Sequence, residues 1–300
     1  MPVKHRRKRV SASTLTFYIL GCVLIGFLAV VCLLPFVMLV SGSFTSEQYI
    51  RMNGYSLFIH DFSLEAYSML FKYPEKIIRA YGVSIFITLV GTAIGLFLTT
   101  MTAYVISRKD FKYRNVISFF FYFTTLFNGG MVCTYIFYIQ YLHLKDNLLA
   151  LILPGLINIF NMLVMRSFVS DIPAALIESA KMDGAGEFRI FLQIVVPLLK
   201  SGLATIGLFI ALGYWNDWFN AMLYINSDSK YPLQYMLYDM LQQAQAMGFI
   251  AARAGIPTEN IPTNGLKLAM AVVATGPIIL LYPFVQKYFV KGITIGAVKG

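Results

Sequence analysis

The chain has 300 residues, 58% of them hydrophobic and 13% charged, where an ordinary soluble domain carries about 25% charged residues. With a mean hydropathy of +0.69, this excludes a soluble globular protein and indicates an integral membrane protein. The formal net charge of +10 does not point to nucleic acid. The basic residues stand at the chain ends and in short connections between apolar runs, where topology signals lie.

Residues 1–14 form a basic N-terminus containing Lys4, Arg6, Arg7, Lys8 and Arg9. The run that follows, residues 15–40, holds 26 residues without a charge. That exceeds the roughly 7–15 residues of a signal-peptide core, so the run is predicted to be a retained first transmembrane helix. Five more segments are long and apolar enough to span a bilayer, which takes about 20 residues: 80–107, 116–141, 148–169, 198–223 and 268–286. All six are continuous apolar runs rather than the short alternating segments of a barrel, so the fold class is all-α with six transmembrane helices. Gly91 and Gly95 in the second segment permit close helix contact.

The Lys and Arg distribution predicts the orientation. The connection between the second and third segments holds Arg108, Lys109, Lys112 and Arg114, whereas that between the third and fourth holds Lys145 alone. Both termini are therefore expected in the cytoplasm, with a C-terminal tail at 287–300. On the outer side, residues 41–79 include an amphipathic patch around 62–73 that reads as interfacial. Residues 227–267 read as polar and irregular, with Pro257 and Pro262.

The sequence contains no G-x-x-x-x-G-K-[ST] phosphate loop, and indeed no Gly-Lys pair, so no Walker-type ATPase site is expected. His5, His60 and His143 are scattered, and Cys22, Cys32 and Cys133 lie in apolar runs without metal-ligand or disulfide spacing. Ionisable groups inside a membrane are costly and mark function by default. Here they are scarce, Asp217 being the exception. Uncharged polar groups are commoner: Asn128, Gln140, Asn158, Asn161, Asn216 and Asn220. They serve either interhelical hydrogen bonding or a polar path for a hydroxyl-rich solute. On the second reading the path candidates are Asn158, Asn161, Tyr214, Trp215, Asn216 and Asp217, with the two aromatic rings available to stack on sugar faces.

The one long polar break in the apolar second half is 172–197, which the charge bias places in the cytoplasm. Asp171 is positioned to cap a helix there and Pro173 to begin it. Asp183-Gly184 reads as its stop, because glycine accepts the left-handed conformation that closes a helix. A second helical run is expected over 187–196, ended by Pro197.

This stretch resembles the EAA signature of ABC importer permeases. Glu178-Ser179-Ala180 is followed after three residues by Gly184, and after nine more by Ile194-Val195-Val196-Pro197. The pattern departs from the family's only by Ser179 for Ala and Val196 for Leu. The longer form usual in sugar permeases matches Glu178 to Ala185. The Met165-Arg166-Ser167-Phe168 exit of the fourth segment, Trp215-Asn216-Asp217, and the closing residues 287–300 are similar to the maltose-permease-like carbohydrate subfamily, especially the lipoprotein-linked permeases of Gram-positive bacteria. The resemblance implies a type I importer (MetI-like) fold in a bacterial cell membrane. It implies that Glu178, Ser179, Ala180, Asp183, Gly184 and Ala185 form a coupling helix docked on a cytoplasmic ATPase. The implied partners are a second, homologous permease, two ATPase subunits that bind the ATP and Mg, and an extracellular solute-binding lipoprotein. The implied cargo is an oligosaccharide. No cofactor is expected in this chain. Two other classes stay open on residues alone: an ion-coupled secondary carrier, which more membrane carboxylates and an internal repeat would favour, and a non-transporting membrane scaffold.

Overall fold

A computed structural model of the protein describes residues 12–127, 129–253 and 263–297. Asn128, Pro257, Pro262 and the basic residues before Ala12 lie outside the described residues. Among those described, regular structure is helical, apart from an isolated bridge between Thr45 and Phe62. In chain order the helices are α1 Ala12–Ser43, α2 Glu47–Asn53, α3 Glu65–Leu70, α4 Pro74–Ser107, α5 Arg114–Leu126, α6 Gly130–Ile136, α7 Leu149–Ile152, α8 Ile159–Ser170, α9 Ala174–Met182, α10 Glu187–Ile190, α11 Val196–Leu198, α12 Lys200–Trp215, α13 Phe219–Tyr224, α14 Leu233–Arg253 and α15 Thr263–Ala297.

Among the described residues, three helices are long and apolar enough to cross a membrane: α1, α4 and α15. Three bent pairs pass the same test together. α5 with Gly130–Tyr141 bends by 112°, Leu149–Gly155 with α8 by 51°, and Glu187–Leu198 with α12 by 87°. Counted as one span each, they bring the crossings to six. The breaks are tolerable in a bilayer only where the freed backbone groups find partners inside the protein, and this condition governs where the polar residues sit.

The chain forms two units, Met1–Lys72 with Ala244–Val273 and Tyr73–Gln243 with Ala274–Gly300. In the first, α1 leaves nearly its whole apolar surface exposed, as a helix facing lipid or a partner would. Gly42 lets it approach the start of α15, since a Cβ there would lie 2.5 Å from Leu268 Cδ1. The buried carboxylate of Glu47 accepts hydrogen bonds from the amides of Asn264 (3.0 Å) and Gly265 (2.9 Å) and from Asn264 Nδ2. A helix start exposes amides with no partner of their own, and an acidic group there also suits the helix dipole. These amides belong to the first described turn of the last helix, ahead of the apolar run at 268.

In the second unit α4 is the spine. Its inward face follows helical spacing through Ile77, Ala80, Ser84, Ile87, Gly91, Gly95 and Ala103. It packs against α12 and α8, with Ile206, Ile210 and Tyr214 of α12 and Met165 and Val169 of α8 in the shared core.

Three local expectations are corrected. Residues 227–267 are not irregular throughout, because α14 runs for 21 residues from Leu233. Leu233, Met236, Leu237 and Ala244 recur on one buried side beneath a polar, Gln-rich surface, and Ser84 Oγ accepts the Leu233 amide at 2.8 Å. Asp171 does not cap α9. It terminates α8, its amide turned back to the Val169 carbonyl, and Pro173 precedes α9 without a side-chain cap. Pro197 does not end its helical run either. A widened turn, Phe191–Val195, carries the chain into α11, where the proline occupies an opening position that needs no amide bond. The chain turns at Leu199 instead.

Candidate functional site

The α9–α10 corner is built by a six-to-one helix ending. The Ala185 amide donates to the Ala180 carbonyl (3.0 Å) and the Gly184 amide to the Lys181 carbonyl (3.0 Å). This closure requires a left-handed residue between helix and exit, and Gly184 supplies it at φ +77°. The six coupling residues expected from the sequence lie together here. Ile177 and Ala180 face the core, and Ala185 packs partly against it. Glu178, Ser179 and Asp183 point outward, and neither carboxylate has a side-chain partner among the described residues. Met182, at the tip, is 88% exposed. A bare methionine flanked by two free carboxylates is a surface made for a protein partner.

Beneath the tip is a polar cluster that sequence reasoning missed. Lys181 Nζ lies 2.8 Å from Asp110 Oδ2 and 2.5 Å from Glu187 Oε1. Arg108 pairs with Asp110 at 2.8 Å, and Tyr104 Oη donates to Glu187 Oε2 at 2.7 Å. The group joins the end of α4 and the α4–α5 turn to both arms of the corner. Arg108 foremost, then Lys181, holds the Asp110 carboxyl well below the usual carboxylate range. Lys181 also holds Glu187 low, and Asp110 foremost raises the Lys181 ammonium. The pairs are largely solvent-exposed, so each contributes about 0–1 kcal/mol to stability. Their effect is on position rather than on folding. The one signal available in the sequence was Asp110, the lone acid in a run of five charged positions.

The path candidates divide. Asn158, Asn161, Tyr214, Asn216 and Asp217, together with Asn220, line one cavity of about 330 Å³. It sits where two broken helices meet, and several of its polar groups are occupied in holding the breaks. Asn158 Oδ1 accepts the Asn161 amide at the start of α8. Asp217 accepts the amide (3.1 Å) and Nδ2 (2.7 Å) of Asn220 at the start of α13. Tyr214 Oη donates to the Ile152 carbonyl at 2.6 Å. Its ring is seated between two glycines: a Cβ on Gly91 would lie 2.5 Å from it and one on Gly155 2.8 Å. Trp215 is not in the cavity. Its Nε1 donates to the Ala274 carbonyl (3.1 Å) and its ring tilts against Tyr81.

The cavity lining carries Asp217 as its one charged group and no cation. On electrostatic grounds this lining disfavours an anionic solute.

Residues 91–295, which take in the corner and both breaks, match the family described as binding-protein-dependent transport system inner membrane component. The chain belongs to this family. The permease is 41% identical over 286 residues to Protein LplC of Bacillus subtilis (strain 168), covering 95% of each chain. It is 40% identical over 278 residues to the polygalacturonan/rhamnogalacturonan transport system permease protein YtcP of the same organism, covering 92% of this chain and 96% of the other. Its fold is similar to a chain in the crystal structure of a bacterial ABC transporter involved in the import of the acidic polysaccharide alginate. The TM-score is 0.75 at 29% identity, over 94% of this chain and 99% of that one. The permease is thus an all-α integral membrane protein of the MetI-like ABC importer fold and an inner membrane component of a binding-protein-dependent transport system.

Proposed function

We propose that this chain is one of two permease subunits of an ATP-driven importer for a carbohydrate, an oligosaccharide, delivered by an extracellular solute-binding lipoprotein. The observation that carries the reading is the corner at Gly184. A left-handed turn holds Glu178, Asp183 and Met182 outward, inside the span that matches the family. On this reading both termini are cytoplasmic, and Glu178, Ser179, Ala180, Asp183, Gly184 and Ala185 dock on one of two ATPase subunits. The carboxylates accept hydrogen bonds from partner Arg or Lys, and the small residues let the partner come close. This chain holds no ATPase site and no cofactor; ATP and Mg are bound by the partner ATPases.

The cavity at the helix breaks is the solute path on this side of the complex, with Asn158, Asn161, Asn216 and Asp217 toward it. Tyr214 shapes its wall and Trp215 braces α12 from behind. The sugar reading draws on the names of the relatives and on the amide-rich lining. Purification of the complex from native membranes and mass spectrometry of co-purifying chains and glycan test it. A second permease, an ATPase pair and a bound oligosaccharide are the expected result; a chain that purifies alone and binds no glycan contradicts the proposal.

A further inference from the structure

We propose that Lys181 and Glu187 are positioning residues that clamp the coupling corner to α4, so that α4 carries the corner's motion to the solute cavity. This rests on the importer reading above. Lys181 stands on α9, before the Gly184 turn, and Glu187 opens α10, after it. Their direct ion pair of 2.5 Å therefore closes the corner across its own mouth. Each is then tied to the same neighbour. Lys181 reaches Asp110 in the α4–α5 turn, and Glu187 accepts the Tyr104 hydroxyl at the end of α4. Arg108 fixes Asp110 through two hydrogen bonds, at 3.0 and 2.8 Å. A corner held only by apolar packing can slide over its neighbour, whereas one held by directed polar bonds to a single helix end moves with it.

What lies at the far side of that helix gives the clamp its consequence. From Tyr104, α4 rises without a break for thirteen residues to Gly91, a distance of about 20 Å at 1.5 Å per residue. There its backbone bears directly on the Tyr214 ring, and at Gly95 on the Leu156 carbonyl. Tyr214 lines the cavity, and Leu156 directly follows Gly155, which also lines it. A shift of α4 moves the cavity wall because the Gly91 contact has no slack, a single added methyl group there overlapping the ring, and the Gly95 contact is tight. Coupling between distant sites needs a rigid element that both sites bias, and α4 meets that description from both ends.

The test uses the complete complex in nanodiscs, with its binding protein purified from native cells together with its co-purifying glycan. ATP hydrolysis is measured with and without that protein. Lys181→Met is expected to lower the stimulation about five-fold or more, with basal hydrolysis and the KM for ATP unchanged. Lys181→Arg, which keeps the charge, is expected to restore it. Tyr104→Phe removes one oxygen from the α4 side of the same link. It is expected to lower stimulation too, and the double variant Lys181→Met with Tyr104→Phe to fall short of the product of the two effects, since both act through Glu187. A wild-type complex that the binding protein does not stimulate overturns the importer reading and this inference with it. A stimulated wild type with undiminished Lys181→Met and Tyr104→Phe overturns the clamp alone, and so does a Lys181→Arg complex as impaired as Lys181→Met.

Discussion

Replacing Gly184 separates two ways in which the corner can matter. The residue has φ +77°, and a Cβ built on it meets nothing within 4 Å. Within this chain the obstacle to a side chain is therefore backbone handedness and not room. An L-residue held in the left-handed region costs about 1–2 kcal/mol, which shifts the balance between a formed and an unformed corner by roughly 5–30-fold. Asparagine visits that region readily, alanine less so, and valine, branched at Cβ, least of all. ATPase stimulation by the binding protein, measured in nanodiscs, is expected to fall in the order Gly184→Asn, Gly184→Ala, Gly184→Val. Gly184→Arg should behave as alanine does if handedness alone matters, and should uncouple the complex further if the open space is where the ATPase sits. In every variant the subunit should still insert in the membrane. Asparagine and valine variants with equal stimulation would refute the argument from handedness.

Gly91→Ala places a methyl group 2.5 Å from the Tyr214 ring, an overpacking that costs typically about 1–3 kcal/mol. A lower unfolding temperature for the purified complex is expected, while Gly82→Ala on the same helix, with nothing within 4 Å, leaves it level or slightly higher; equal temperatures for the two would contradict the packing described. The polar cluster also fixes a pH response. Asp110 and Glu187 have lowered carboxyl pKa values, so their contribution is complete above the ordinary carboxylate range and is lost only as pH falls through the lowered values. Lys181 is raised, so its contribution is complete below the ordinary lysine value and is lost only as pH rises through the raised one. The stimulation ratio should thus be flat between about pH 6 and pH 8, and a midpoint inside that window at these residues would contradict the cluster's assignment.

The six apolar segments were legible because a bilayer demands an unbroken apolar run of a given length, and run length is written directly in the residues. The corner was legible for a different reason: Asp183-Gly184 specifies a backbone conformation that few other residues accept. The bends were not. Leu199, where the chain turns by 87°, is a leucine among leucines, and the nearby Pro197 drew the eye to the wrong position. α14 was hidden because its surface is Gln-rich and its buried side is narrow, which a reading by hydropathy records as loop. Among the path candidates, the sequence placed Tyr214 and Trp215 side by side. On a helix, adjacent residues point about 100° apart, so one entered the cavity wall and the other turned to Ala274. The clamp of Lys181 with Asp110 and Glu187 joins residues up to 77 positions apart, and no local pattern announces it.

The decisive experiment on ATP-driven import is uptake into proteoliposomes containing the whole complex, with the glycan-loaded binding protein on one side of the membrane and ATP with Mg on the other. Glycan is expected to accumulate only when ATP and the binding protein are both present, and an ionophore to leave the rate unchanged. Uptake that persists without ATP and collapses with the ionophore would contradict it.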